Sequence, residues 1–122
     1  MFEIHPAADD RLVLLAEQEG LDLPLCGMVL QDNGEEEGYL LYRVYGDTAS
    51  IVCCRCADAG LGEWLVRAAL AAAANREALY AVCTDEGLFD VLTALGFERE
   101  EGRVSVFIPD FFNQPCAGCG SH

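Results

Sequence analysis

The hydrophobic pattern changes period between residues 56 and 60, and that change restricts the fold more than any other feature of the chain. Ala49 to Cys56 reads as a strand, whereas Gly60 to Arg76 is rich in Ala and Leu. In the second stretch Leu61, Leu65, Ala68, Ala69 and Ala72 form a helical face. A short apolar strand, Leu79 to Cys83, comes next, so the middle of the chain is strand, helix, strand. Trp64 and the alanines of the helix are expected to pack on the sheet.

The flanks extend the series. Phe2 to His5 reads as a strand ended by Pro6, and Asp9-Asp10 precede a helix carrying Leu12, Leu15, Ala16 and Glu19 that Gly20 stops. Cys26 to Gln31, Gly38 to Tyr45 and Ala49 to Cys56 read as three hairpin-linked antiparallel strands. Asp32-Asn33-Gly34 marks the first turn, with Glu35-Glu36-Glu37 expected to lengthen the loop. After Cys83, Thr84-Asp85 can cap a helix bearing Leu88, Val91, Leu92 and Leu95, which Gly96 ends. Phe97 to Glu100 and Arg103 to Ile108 close the series, and after Pro109 the pattern decays into a tail. The order is β-α-β-β-β-α-β-α-β-β in one domain over residues 1–112, with a Cys-rich tail over residues 113–122.

Composition agrees with a packed domain. At 52% hydrophobic residues and a mean hydropathy of +0.20, the chain lacks the low hydrophobicity that disorder requires. Its 7 Lys+Arg against 21 Asp+Glu give a net charge of −14. Nucleic acid and anionic membrane are therefore excluded as default partners, since both need a basic surface. The first ten residues lack the basic start and apolar core of a signal peptide, and no apolar run nears the roughly 20 residues of a membrane span. The expected location is the cytoplasm.

The junction at the change of period also carries the clearest chemical signal. Ala57-Asp58-Ala59-Gly60-Leu61-Gly62 joins a strand to a helix N-terminus, where glycines admit close approach and first-turn N–H groups face an anion. This segment resembles the Arg/Gln-x-x-Gly-x-Gly pyrophosphate loop of the GNAT acetyltransferase superfamily. Ile4-His5-Pro6-Ala7 is similar to that family's first strand. Leu92-Thr93-Ala94-Leu95-Gly96-Phe97 resembles its Tyr-x-x-x-Gly-Phe. The resemblance covers about residues 2 to 110. It implies an α/β fold, a mixed and mostly antiparallel sheet with helices on both faces and a reduced N-terminal helical region. It also implies acetyl-coenzyme A as cofactor, held at Ala59, Gly60, Leu61 and Gly62.

Several residues depart from the family pattern. Ala57 stands in place of Arg or Gln, Leu92 in place of the Tyr that serves as general acid, and Asp85 in place of Asn. Asp58 and Glu63 bring negative charge to an anion site, and Arg55 is expected to point away from it. Asp58 also reads as an ordinary N-cap. Tyr39, Tyr42 and Tyr45 read equally as sheet packing or as ligand contacts. The acid and base stay unassigned.

Seven cysteines fall in three settings. Cys26, Cys53 and Cys83 are expected in the core, with Cys54 and Cys56 on the opposite strand face from Cys53. Cys116-x-x-Cys119-x-x-His122 could ligate zinc, form a redox disulfide or remain an unbound tail. Two functions follow. The first is N-acyl transfer from acyl-coenzyme A to a small-molecule or peptide amine, cationic in keeping with the acidic surface. The second is a catalytically degenerate binding, metal- or redox-sensing module. With only about twenty residues between Pro6 and Cys26 to wall the acceptor side, a homodimer is a further expectation.

Overall fold

The computed structural model describes residues 1–113. Seven strands, β1 (Phe2–Pro6), β2 (Cys26–Asp32), β3 (Glu35–Tyr45), β4 (Thr48–Cys56), β5 (Tyr80–Cys83), β6 (Glu98–Glu100) and β7 (Arg103–Phe107), form one sheet of order β1-β2-β3-β4-β5-β7-β6. Every neighbouring pair is antiparallel except β4 and β5. That exception follows from the strand–helix–strand centre, because a parallel pair needs a crossover helix. The crossover is α2 (Ala59–Ala74).

Side-chain alternation splits the interior into two layers. On one face α1 (Asp9–Glu19) sets Leu12, Leu15 and Ala16 against Val29, Tyr39, Leu41 and Cys53. On the other, α2, α3 (Phe89–Ala94) and α4 (Ile108–Asn113) cover Leu30, Leu40, Ile51, Ala81, Cys83 and Val104. The face of α2 that packs is centred on Leu65, Val66, Ala69, Leu70 and Ala73, all nearly fully buried. Trp64 lies outside that arc and is 61% exposed, contrary to the sequence expectation. A step of about 100° per residue is enough to carry it off the packed face.

Three local readings also change. Asn33 and Gly34 both take positive φ, 54° and 87°, which suits a two-residue hairpin turn, so Glu35 to Glu37 belong to β3 and not to a loop. A single 3-10 turn, Glu86–Leu88, capped by the Asp85 side chain, precedes α3. In α3 Phe89 and Leu92 are buried while Val91 is 38% exposed. Past Pro109 the chain forms α4 and not a tail. Proline is tolerated in the first turn of a helix, and Ile108 and Phe111 anchor this one in the core. No described helix is long and apolar enough to cross a membrane.

Gly38 fixes how closely β3 approaches β4. It pairs with Cys56, and a Cβ there would stand 2.8 Å from the Arg55 carbonyl oxygen and 3.2 Å from the Cys56 side chain. Gly38→Ala should lower stability by about 1–3 kcal/mol, an overpacking cost. A urea melt with an unchanged midpoint would contradict that reading.

Candidate functional site

The site is a wedge opened by a fault in the sheet. Along β4, Leu41 pairs with Cys53 and Tyr42 with Ile51, which leaves Val52 as the extra residue of a β-bulge. A bulge bends its strand and increases local twist. Pairing between β4 and β5 stops at the same level, with Ile51 opposite Cys83 as the last pair. Beyond it, the backbone groups of β4 that face β5 have no strand to bond among the described residues. Leu88, Val91 and Leu92 approach from the segment after β5, and Gly62 and Val66 from α2, to enclose a cavity of about 170 Å³ against Cys54 and Cys56.

The four residues marked in the sequence for cofactor binding, Ala59, Gly60, Leu61 and Gly62, form the first turn of α2 at the rim of this wedge. Gly62 lines the cavity together with Ala57 and Asp58. Asp58 is the N-cap: its carboxylate accepts from the Leu61 N–H at 3.1 Å and its carbonyl from the Gly62 N–H at 2.9 Å. A Cβ on Gly60 would come within 3.2 Å of that carboxylate. The N-terminus of α2, where an anion would sit, is thus partly filled by the chain's own negative charge. Glu63, the second acid noted there, is held by Arg67 at 3.0 Å. Leu92 is buried at 1% exposure and supplies wall, not a proton.

The opposite face of the same strand carries a polar cluster that sequence pattern alone did not reveal. Glu19, at the end of α1, accepts from Arg55 Nη2 at 2.8 Å and from the Tyr39 hydroxyl, which in turn accepts from Gln18 Nε2 at 2.9 Å. Arg55 therefore points away from the Ala57–Gly62 segment, as expected. The paired guanidinium, and then the Tyr39 hydroxyl, lower the Glu19 carboxyl to about 2. Burial, reinforced by Glu19, pushes Tyr39 up to about 12 and Cys53 up to about 11. On the wedge side burial pushes Cys54 up to about 12. A carboxylate this acidic is a poor general base near neutral pH, so Glu19 braces α1 against β3 and β4 instead. The only sequence signal for it was its place on the packed face of α1.

The remaining cysteines divide. Cys53 and Cys83 are buried as expected, Cys54 and Cys56 lie on the opposite face from Cys53, but Cys26 is only half-buried. Tyr39 and Tyr42 are buried in the sheet layers, while Tyr45 is 64% exposed. Cys116, Cys119 and His122 lie outside the described residues. Among the described residues no group of three or more His, Cys, Asp or Glu is placed to hold a metal ion, so zinc gains no support.

Comparison with solved structures identifies the architecture. The ribosomal-protein-S18-alanine N-acetyltransferase of Escherichia coli superposes with a TM-score of 0.68 at 13% identity, over 100% of this chain and 99% of that one. A protein described as an acetyltransferase of the GNAT family from Desulfovibrio desulfuricans gives 0.68 at 10% identity, over 88% and 99%. The N-acetylglutamate synthase of Neisseria gonorrhoeae, complexed with coenzyme A and N-acetyl-glutamate, gives 0.66 at 14% identity, over 88% of this chain and 35% of that one. No family model and no curated protein sequence matches the chain. The chain has the GNAT acetyltransferase fold, in a form with one helix between its first two strands.

The Glu19 cluster yields a pH dependence. Its folded pKa near 2 lies below the ordinary value of 4.5, so its stabilisation is complete above pH 4.5 and is lost as pH falls toward 2. Glu19→Gln should cost about 2 kcal/mol at pH 7 by removing a charged hydrogen-bond acceptor. The same substitution should flatten stability between pH 5 and 2, and denaturant melts across that range check both effects.

Proposed function

We propose that the protein transfers an acyl group from acyl-coenzyme A to an amine. The observation that carries this reading is the parting of β4 from β5 after Ile51 and Cys83, beside a helix N-terminus. The residues present fit coenzyme A in part. The exposed backbone edge of β4 and the apolar cavity suit its pantetheine arm, and the first turn of α2 is a seat for its diphosphate that Asp58 disputes. Acetyl-coenzyme A would supply an activated thioester carbonyl. Leu88, Val91 and Leu92 would keep water from it, and the open β4 edge offers main-chain N–H groups to a developing negative charge. With Leu92 and Glu19 unable to serve as acid and base, rate enhancement would come from positioning and electrostatics.

Two features favour an acceptor that is a cation in solution, such as a polyamine or a basic peptide. Asp58 lines the wedge, and no arginine is among the described residues that line it. On the α1 side of the sheet, Tyr80 and Phe107 pair across β5 and β7 with ring centroids 5.3 Å apart, yet remain 44% and 39% exposed. One helix on that side covers β2 to β4 and leaves this half of the sheet open to an acceptor. A second reading, binding without transfer, draws on Leu92 in place of a proton donor.

Calorimetric titration with acetyl-coenzyme A tests the donor assignment. Saturable binding is expected, and Asp58→Asn, which keeps a good cap while removing the charge, should tighten it roughly threefold to tenfold. Absence of binding by both proteins would refute the assignment. Acetylated product from spermidine, detected by mass spectrometry, would separate transfer from binding alone.

A further inference from the structure

We propose a second ligand site, for a small anion with an apolar body, in the groove at the opposite end of β4 from the wedge. The groove has a volume of about 430 Å³, within the roughly 300–1,000 Å³ of small-molecule pockets. It is bounded by the start of β2, the end of β3 and the last turn of α2. β4 pairs with the end of β3 through its own first residues, whereas the wedge opens at its last, so the two sites are separate.

Charge points to the ligand. The chain has seven basic residues, all arginine. Carboxylates neutralise five of them: Arg11 pairs with Glu36, Arg55 with Glu19, Arg67 with Glu63, Arg99 with Asp90 and Arg103 with Glu100. The two without a carboxylate partner among the described residues, Arg43 and Arg76, both line this groove. Arg43 donates to the Asp22 carbonyl at 2.6 Å, which occupies a donor but leaves the charge uncancelled. Arg76 Nη1 donates to Cys26 Sγ at 3.1 Å.

Arg43 reaches the groove from the α1 side of β3 and Arg76 from the α2 side, and Asp9 is the one carboxylate among the described residues that line it. The rest of the acidic surface is screened over about 8 Å at physiological salt. Met28 and Val44 supply apolar wall, and the buried Tyr42 supplies a hydroxyl. Burial, then the neighbouring Cys26 thiol, raises the Tyr42 pKa and keeps that hydroxyl a donor. An aliphatic or aromatic carboxylate matches this lining, with its head at Arg76, which shares the α2 side of the sheet with Cys26, Met28, Tyr42 and Val44.

Cys26 is a built-in reporter, because it sits against Arg76 and reaches the groove. Alkylation by anionic iodoacetate and neutral iodoacetamide, read residue by residue by peptide mass mapping, tests the proposal on the wild-type protein. The thiolate displaces iodide in both reactions, so the ratio of the two rates isolates the charge of the incoming reagent. The iodoacetate-to-iodoacetamide ratio at Cys26 should exceed that at Cys56 by roughly fivefold, the scale of one unit charge about 4 Å away across water. Hexanoate should slow Cys26 alkylation while hexanamide does not, and Arg76→Gln should remove both effects. A ratio at Cys26 no higher than at Cys56, or equal protection by hexanoate and hexanamide, would overturn the site.

Discussion

The extra residue at Val52 is the constraint on which the rest depends. A sheet with β4 and β5 paired throughout would close the gap between them and leave no exposed backbone inside the molecule. Because the bulge and the last β4–β5 pair fall at the same level, β4 diverges where its partner ends. α2 then begins at the far end of the free stretch and places its N-terminus at the rim. Open backbone edge, apolar cavity and helix terminus are consequences of one local irregularity in strand pairing.

Electrostatics shapes the same frame in an uncommon way. With 21 acids and seven arginines, positive charge is scarce, and most of it is spent on internal ion pairs. The helix seat that would favour an anion is capped by Asp58 instead, so any diphosphate there must share first-turn amides with a carboxylate. The arginines left without carboxylate partners among the described residues gather at the other end of the sheet. Asp58 therefore sets negative charge at the wedge, while Arg43 and Arg76 line the distant groove.

Much of the fold was legible because periodicity and turn chemistry agreed. The strand–helix change near residue 57, the Asn33-Gly34 turn and the Gly96 stop each have a local physical cause that acts before tertiary packing. Trp64 and α4 were misread for the converse reason. Which side of a helix is buried, and whether a proline-containing segment folds back, depend on surfaces far away in sequence. The wedge was legible only as its Gly60-Gly62 rim. Its floor needs the Val52 bulge, which pattern does not mark, and the Glu19–Tyr39–Arg55 cluster joins three elements. The Arg76–Cys26 contact spans fifty residues of chain and leaves no local trace.

Amide hydrogen exchange with and without coenzyme A tests the central claim, that the free edge of β4 and the first turn of α2 form the donor site. The account predicts slowed exchange concentrated at residues 52–56 and 59–62. Unchanged exchange there, or protection confined to other strands, would contradict it.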